Sequence, residues 1–454
     1  MSGKNELIAA WERTLRKRGG DIAVTQAADG DRVTFRELDA RARAWLAAYV
    51  PQPRALAGRA VVFAVANGIA WLEQFIALQR AGAVAVPLDA SEPAAAQRQI
   101  AATLRAAYQW EGSRLVAVAG AGVKARRFRP GAACLIKLTS GTTGRPRALV
   151  FSAAQFLADS RQVTASMGIG PRDLNYALIP LGHSYGLGNL TGPLLVQGVP
   201  LVCGTAPLPH AIATDFARWR PTVFPSVPAV WRALAGSEVA LESLRLAISA
   251  GAPLPPEVAR DFATRFGRRI HAFYGSSETG GISYDRTGQA TLAGGVGRAL
   301  RGVTLVTRRG QRLEVSSAAV CTAGNRRHKN DLGAWLMPDR VAIDARGEVK
   351  LLGRRGTTVK LAGRRVDLND VAARLRRLDG VREVWVGVSA EPEPVLGAAV
   401  VTARSAPELR AALHADTAAW KIPKRWVILA ELPLTARGKI DARKLQALVF
   451  APKP

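Results

Sequence analysis

Short apolar runs alternate with helix-like segments in the first part of the chain. Residues 61–65 and 82–89 are apolar runs of strand length, and a helix is predicted between them at residues 71–80. Strand, helix and strand in succession predict a parallel sheet, because parallel neighbours need a crossover connection and the helix supplies it.

Two amphipathic helices are predicted before these strands, at residues 5–19 and 36–50. The second has a defined start. Thr34 can accept a hydrogen bond from the first turn, and Glu37 lies three residues later, so the pair has the spacing of a capping box.

The C-terminal part of the chain has a different pattern. Strands are predicted at residues 357–361, 383–388 and 397–402, with helices around residues 369–378 and at 406–417. This order predicts a small α+β unit. With 454 residues the chain is too long for one ordinary core, so two or more domains are expected.

Composition narrows the class of protein. The hydrophobic fraction of 48% is typical of a folded globular chain, and no apolar run reaches the length of a membrane span. Residues 1–12 include acidic side chains and lack a signal peptide's continuous apolar core, so a cytoplasmic location is expected. Cys134, Cys203 and Cys321 are widely spaced, which indicates neither disulfides nor a zinc site.

The formal net charge of +28 is unusual and has more than one interpretation. A basic protein can bind nucleic acid or an acidic partner. Arginine is also used heavily throughout the chain, so the charge can be compositional. The basic residues do not gather in one tail and no nucleic-acid motif is present, so nucleic-acid binding is not expected.

The segment 138–147, with the sequence LTSGTTGRPR, is the richest candidate site. Apolar runs flank it at residues 132–136 and 148–151, so the loop joins strand to strand, unlike a Walker A loop, which opens a helix. Its glycines allow close approach to a ligand, and its hydroxyls and arginines suit a polyphosphate. A solvated hairpin of Gly, Ser and Thr is the alternative.

Further stretches carry candidate chemistry in a defined order along the chain. They are PLGHSYGL at 180–187, SAGAPL at 249–254, AFYGSSETG at 272–280 and LTARGK at 434–439. Together with the loop at 138–147 they resemble the motifs of the AMP-forming adenylating enzymes. That superfamily includes acyl- and aryl-CoA synthetases, luciferases and the adenylation domains of peptide synthetases. The resemblance runs from about residue 22 to residue 445.

The resemblance implies a nucleotide site with Mg²⁺. The loop after Thr139 would close over the β- and γ-phosphates, the turn at Gly251 would contact the adenine, and Tyr274 would stack on it. Ser277 would form a hydrogen bond to a phosphate oxygen. Glu278 would be the ligand of Mg²⁺, since this ion prefers hard oxygen donors. The predicted nucleotide-binding residues are Thr139, Ser140, Gly141, Thr142, Thr143, Gly144, Gly251, Ala252, Pro253, Phe273, Tyr274, Gly275, Asp339 and Arg354.

The resemblance also implies an acid pocket and a catalytic lysine. The pocket would include His183, Tyr185 and Gly251, although His183 could instead be an ordinary loop histidine. Lys439 would neutralise charge on the reacting carboxylate and α-phosphate, with a surface lysine as the alternative. The predicted catalytic residues are Lys439, Glu278, Arg147 and Ser277.

The predicted fold is α/β, with a large N-terminal domain of β-sheets layered with helices (residues 1–352) and a small mobile α+β domain (358–454). Residues 353–357 would be the hinge, where Gly356 replaces the family's usual aspartate and Asp339 keeps only the last residue of the family's TGD turn.

The implied function is an AMP-forming ligase. It would activate an aryl or fatty carboxylic acid with ATP and pass the acyl group to coenzyme A. Transfer to the phosphopantetheine of an acidic acyl carrier protein is an alternative, and both acceptors suit the positive charge. A degenerate protein that binds nucleotide without catalysis is a further alternative, motivated by the altered hinge and TGD turn.

Overall fold

A computed structural model describes residues 5–50, 52–118, 125–129, 131–139, 147–321, 326–327, 333–354, 358–361, 364–389, 394–414, 417, 419–435 and 439–451. The chain divides into two compact units. The first consists of residues 1–308, 313–337 and 342–351, and the second of residues 309–312, 338–341 and 352–454.

The helices of the described residues begin and end as follows. They are α1 Glu6–Arg18, α2 Phe35–Tyr49, α3 Ile69–Arg80, α4 Ala94–Thr103, α5 Ala153–Met167, α6 Ser184–Gly186, α7 Gly192–Gln197, α8 Pro209–Trp219, α9 Pro228–Ala235, α10 Pro256–Phe266, α11 Gln289–Leu292, α12 Leu368–Arg376, α13 Ala406–His414 and α14 Ala442–Phe450. A π-helical segment, Leu187–Thr191, joins α6 to α7. Of the helices described, none is both long enough and apolar enough to cross a bilayer.

The strands are short, and most are apolar. They are β1 Ile22–Gln26, β2 Arg32–Thr34, β3 Ala60–Ala64, β4 Val84–Leu88, β5 Tyr108–Trp110, β6 Leu115–Ala117, β7 Leu135–Thr139, β8 Arg147–Phe151, β9 Asn175–Ala177, β10 Leu201–Cys203, β11 Val223–Ser226, β12 Leu246–Ser249, β13 Ile270–Ser276, β14 Gly280–Tyr284, β15 Arg298–Ala299, β16 Val303–Arg308, β17 Arg312–Ser317, β18 Arg326–Arg327, β19 Gly333–Ile343, β20 Val349–Arg354, β21 Thr358–Leu361, β22 Arg364–Asp367, β23 Val381–Val388, β24 Leu396–Thr402 and β25 Arg425–Leu429.

The largest sheet of the described residues has the strand order β15-β14-β13-β12-β11-β9-β10-β1-β2. Its central strands are parallel and its edge strands antiparallel. One face packs against α8, α9 and α10 through a core that includes Phe224, Trp231 and Phe262, all fully buried. Apolar strands buried on both faces are the expected result for a parallel sheet covered by helices.

A second sheet of the same unit has the order β6-β5-β3-β4-β7-β8. The predicted parallel pairing is confirmed for β3 and β4, which carry the two apolar runs. At the edge, β7 and β8 are antiparallel, with Thr139 opposite Arg147. The segment 138–147 therefore joins strand to strand, as the flanking apolar runs predicted.

The remaining sheets complete the architecture. Strands β16, β17, β19 and β18 pair in that order, and β20 pairs with β19. In the second unit β21 pairs with β22, while β23, β24 and β25 form a sheet covered by α12 and α13 through Val371, Leu375, Val400 and Leu409. The prediction of an α/β fold, with a large sheet-and-helix domain and a smaller α+β domain, is confirmed.

The predicted capping box starts α2. The hydroxyl of Thr34 accepts a hydrogen bond from Glu37 N at 3.1 Å, and the Glu37 carboxylate accepts one from Thr34 N at 2.8 Å. We expect Thr34→Ala to destabilise the chain by about 1 kcal/mol, because the main-chain N–H of Glu37 in the first helical turn loses the hydroxyl that accepts its hydrogen bond. Urea unfolding measures this loss. Thr34→Ser keeps the hydroxyl and should stay close to wild type, and equal losses in both variants would contradict the capping role.

Candidate functional site

Neighbouring parallel strands carry the motifs at 249–254 and 272–280 to one edge of the nine-stranded sheet. In the nine-stranded sheet β11 pairs with β12 and β12 with β13, all parallel. Because the carboxyl ends of parallel strands meet at the same edge, the turn after Ser249 and the turn after Ser276 lie at the same edge of the sheet, with Ser249 opposite Ala272 in the register. These are the turns that carry Gly251 and Glu278.

The turn after β12 is open to solvent. Gly251, Ala252 and Pro253 are all exposed, and Gly251 has φ +88°. Other residues rarely adopt that conformation, so a side chain at position 251 would strain the turn. A main-chain hydrogen bond from Ala250 N to Ser226 O, 3.1 Å long, fixes the start of the turn. The three predicted adenine-contacting residues therefore form an accessible backbone surface at the strand ends.

The turn between β13 and β14 is held by several short hydrogen bonds. Thr279 N donates to Ser276 Oγ at 3.2 Å, and Cys321 N donates to the main-chain oxygen of Glu278 at 2.8 Å. Phe273 and Tyr274 are buried just before the turn, while Gly275 is exposed. Ser277 and Glu278 are half-buried, so both side chains are partly accessible on a fixed backbone.

The segment at 183–185 reaches the same strand ends. His183 is half-buried and precedes α6. Ser184 Oγ donates to Ser277 Oγ at 2.9 Å, and Tyr185 Oη donates to Ile248 O at 3.2 Å. Burial raises the pKa of Tyr185 well above its ordinary value, so its hydroxyl is a neutral donor. The structure thus brings α6, β12 and the Glu278 turn together, although they are far apart in the sequence.

Two buried hydroxyls at this edge were missed by sequence reasoning. Ser226 and Ser249 end β11 and β12 and are register neighbours, and they are only 1% and 3% exposed. Neither hydroxyl has a hydrogen-bond partner among the described residues. Unsatisfied buried hydroxyls are costly, so their chemistry fits a site that receives a polar ligand. No local signal in the sequence marks these two hydroxyls as buried.

The predicted phosphate-binding loop is described at its two ends. Thr139 is half-buried at the end of β7, while Ser140, Gly141, Thr142, Thr143 and Gly144 lie outside the described residues. Arg147 is exposed at the start of β8, and its guanidinium lies 4.9 Å from the centre of the Trp335 ring. This cation–π contact orients Arg147 without neutralising its charge.

The other predicted residues lie in the second unit. Asp339 is buried in β19. Arg354 ends β20, but its side chain, like Gly356, lies outside the described residues. Lys439 is exposed. Its main chain closes a turn, because Thr435 N donates to Lys439 O at 2.7 Å.

Glu278 is the only residue predicted to bind a metal. In the ranges the structure describes, no three His, Cys, Asp or Glu side chains come together as a metal centre. A single half-buried carboxylate fits Mg²⁺ bound to a nucleotide, because that ion usually takes one or two protein carboxylates and completes its shell with phosphate and water oxygens.

The contacts of Tyr185 give a prediction that separates packing from substrate binding. Tyr185→Phe removes a hydroxyl that donates to Ile248 O at 3.2 Å and to Ser226 O at 3.4 Å. We expect a loss of about 1 kcal/mol in unfolding free energy. If Tyr185 lines the predicted acid pocket, a several-fold higher KM for the predicted acid with an unchanged KM for ATP should accompany that loss. Thermal unfolding and steady-state kinetics measure the two effects. An unchanged KM for the acid would place Tyr185 outside the pocket.

Comparison with known families gives a match over most of the chain. The family described as AMP-binding enzyme matches residues 11–116 and 103–314. The chain is 25% identical over 347 residues to a 3-hydroxybenzoate–CoA/4-hydroxybenzoate–CoA ligase of Thauera aromatica, covering 69% of this chain and 66% of that one. It is 27% identical over 370 residues to a benzoate–CoA ligase of the same organism, covering 73% and 69%. The chain thus spans about two thirds of the length of these curated relatives.

A solved structure supports the fold over nearly the whole chain. The crystal structure of ATP-bound MatB from Rhodopseudomonas palustris superposes with a TM-score of 0.81 at 22% identity, covering 97% of this chain and 98% of that one. The likeness extends over both units and establishes the common fold.

Proposed function

The chain belongs to the AMP-binding enzyme family, and on this premise we propose that it activates a carboxylic acid with ATP and transfers the acyl group to coenzyme A. The observation that carries the proposal is the set of turns at the carboxyl ends of β12 and β13. There the exposed backbone around Gly251 lies at the same sheet edge as the ordered turn of Ser277 and Glu278, and α6 forms hydrogen bonds to Ile248 of β12 and to Ser277. Nucleotide and acid would bind at this edge of the sheet.

We assign to each predicted nucleotide-binding residue the role that the family resemblance implies. The loop from Thr139 to Gly144 would hold the β- and γ-phosphates, and the backbone at 251–253 with Tyr274 would hold the adenine. Asp339 and Arg354 would bind the ribose. Glu278 would hold a magnesium ion together with phosphate oxygens, and the ion would supply positive charge to the leaving pyrophosphate.

The first step forms an acyl-adenylate. A carboxylate oxygen attacks the α-phosphorus of ATP, the bond from that phosphorus to the bridging oxygen breaks, and pyrophosphate leaves with the electron pair. The carboxylate is already ionised, so no general base is needed. Ser277, Arg147 and Lys439 would position the reactants and stabilise the charge that develops at the α-phosphate.

The second step forms a thioester. The sulfur of coenzyme A attacks the acyl carbon, the bond to the AMP oxygen breaks, AMP leaves, and the thiol proton passes to solvent. We propose that the small domain, residues 358–454, rotates about Gly356 between the steps, so that Lys439 acts in the first step only. ATP and coenzyme A are cytoplasmic metabolites, so we place the reaction in the cytoplasm.

The acid we propose is an aromatic one. The relatives named above act on benzoate and hydroxybenzoate. Tyr185 and Phe273 lie next to each other, with ring centres 5.9 Å apart, and His183 precedes Tyr185 on the same segment. Aromatic walls with a few polar groups are typical of pockets for small aromatic ligands.

Acid-dependent ATP–pyrophosphate exchange tests the proposal. The panel would contain benzoate, hydroxybenzoates, aminobenzoates and short, medium and long fatty acids. Exchange with aromatic acids and thioester formation with coenzyme A are expected. Transfer to an acyl carrier protein but not to coenzyme A would contradict the proposal that coenzyme A is the acceptor. Exchange only with fatty acids would contradict the proposal of an aromatic acid. No exchange by folded protein that binds ATP would indicate a non-catalytic member of the family.

A further inference from the structure

The hydroxyl of Ser184, the first residue of α6, points to the turn between β13 and β14. Its Oγ donates a hydrogen bond to the Oγ of Ser277 at 2.9 Å, and the two residues are 93 positions apart in the sequence. Both side chains are half-buried. The distance is ordinary for a hydrogen bond between two hydroxyls, so Ser184 is a direct partner of a side chain that is predicted to contact phosphate.

The backbone that presents Ser184 has a fixed conformation. His183 N donates to Pro180 O at 3.1 Å, and Leu187 N donates to His183 O at 2.8 Å. Gly186 packs closely on the preceding turn, because a Cβ at this position would collide with the carbonyl oxygen of Pro180. Main-chain hydrogen bonds and close packing therefore hold the segment from which the Ser184 hydroxyl reaches its partner.

The turn that carries Ser277 is also held on both sides. Ser276 and Gly280 are register partners across the turn, and Cys321 N donates to the main-chain oxygen of Glu278 at 2.8 Å. The hydrogen bond between the two serines thus joins two backbones that other contacts keep in place. A hydroxyl held in this way is preorganised, so it need not be reoriented when a ligand binds or reacts.

The direction of this hydrogen bond decides what the Ser277 hydroxyl can do. A serine hydroxyl has one proton to donate and lone pairs that accept. Since Ser277 accepts from Ser184, its own proton stays available for a second acceptor. Hydrogen bonds in a chain polarise one another, so the donation from Ser184 also makes Ser277 a stronger donor. An oxygen of the α-phosphate is the acceptor that the proposed function supplies.

We propose that Ser184 is a positioning residue for Ser277, whose hydroxyl it holds with the proton directed to the α-phosphate of the nucleotide. Ser184 acts through Ser277. The contact also connects the phosphate turn to the segment of the predicted acid pocket, because Tyr185 is the next residue of α6. The inference rests on the proposed function, since it concerns the same nucleotide site.

A double-mutant cycle measured by acid-dependent ATP–pyrophosphate exchange tests the inference. At saturating substrates, Ser277→Ala is expected to lower the rate about 10²-fold and Ser184→Ala about tenfold, with an unchanged KM for the acid. Adding Ser184→Ala to Ser277→Ala should change the rate less than about twofold, because the hydroxyl through which Ser184 acts is gone. Equal losses in both backgrounds, or a Ser184→Ala rate within about twofold of wild type, would overturn the inference.

Ser237→Ala is the matched control. Ser237 is half-buried, and its hydroxyl donates to Leu234 O at 2.9 Å, so the change also removes a hydroxyl that forms a hydrogen bond. Its exchange rate should equal that of wild type. Melting temperatures and near-ultraviolet circular dichroism establish that each variant is folded. If Ser184→Ala does not fold, Ser184→Cys replaces it in the cycle, because a thiol is a weak donor of similar size, and the same pattern with a smaller loss is expected.

Calorimetric binding of AMP separates the inference from the proposed function. AMP carries only the α-phosphate, so its affinity reports the Ser277 contact without catalysis. Ser184→Ala is expected to weaken AMP binding several-fold in the wild-type background and not in Ser277→Ala. Wild-type exchange with an acid, while neither cycle depends on Ser184, would retain the function and reject the positioning role. No exchange with any acid, while AMP binding responds as described, would reject the function and retain the positioning role.

Discussion

Lys439→Ala is expected to lower acid-dependent ATP–pyrophosphate exchange by about 10²–10³-fold, the usual loss for removing one preorganised charge-stabilising group. Lys439 is exposed, its main-chain oxygen accepts from Thr435 N, and its main-chain nitrogen donates to Thr435 Oγ1. Truncating its side chain keeps both of these hydrogen bonds, because they use main-chain atoms of Lys439, and it removes the ammonium. Exchange measured at saturating ATP and acid reports the loss directly.

The matched control is Lys444→Ala. Lys444 is also exposed, and its contact with Asp441 uses the main-chain nitrogen, at 3.1 Å, which alanine keeps. The second step of the reaction gives a separate check. Since Lys439 is proposed to act in the first step only, Lys439→Ala supplied with preformed acyl-adenylate is expected to react with coenzyme A at close to the wild-type rate. Equal exchange by both alanine variants would rule out a catalytic Lys439.

Glu278→Gln is expected to lower the same exchange by about 10²-fold and to raise the Mg²⁺ concentration needed for half-maximal activity. Glutamine has the shape of glutamate but lacks the charge that a hard cation needs. The turn should survive, because its hydrogen bonds use the main-chain oxygen of Glu278, the side chain of Ser276 and the nitrogen of Thr279. A magnesium titration of the exchange rate, together with calorimetric binding of ATP, measures both effects.

Glu242→Gln is the control for this substitution. Glu242 is exposed, and its main-chain oxygen accepts from Arg268 at 3.0 Å, a contact that the change does not touch. Wild-type magnesium dependence in Glu278→Gln would show that the carboxylate is not a ligand, even if the rate fell. An unchanged rate and an unchanged magnesium dependence would remove Glu278 from the site altogether.

Several features of this protein follow from local sequence alone. The apolar runs at 61–65 and 82–89 predicted β3 and β4, and Thr34 with Glu37 predicted the start of α2. The motifs at 138–147 and 272–280 predicted the family. These features depend on contacts between residues that are close in the chain, or on composition, so the sequence carries them directly.

The composition of the site was decided only by the tertiary structure. The hydrogen bond from Ser184 to Ser277 joins residues 93 positions apart, and that from Gly281 N to Asp159 Oδ1 spans 122 positions. Lys137 has no local pattern that marks it, because a lysine in a strand is ordinarily on the solvent face. It is nevertheless only 5% exposed, and its ammonium lies 4.3 Å from the centre of the Phe151 ring.

Tertiary packing also explains why the hydroxyls of two serines are buried without a hydrogen-bond partner among the described residues. Ser226 and Ser249 are ordinary strand ends in the sequence, and nothing local indicates that their hydroxyls are buried. They become neighbours because β11 and β12 pair in parallel with these residues in register. The sequence determined the elements, the order of the motifs and the family. Parallel pairing and packing decided which side chains meet at the sheet edge, because those contacts exist only after distant segments come together.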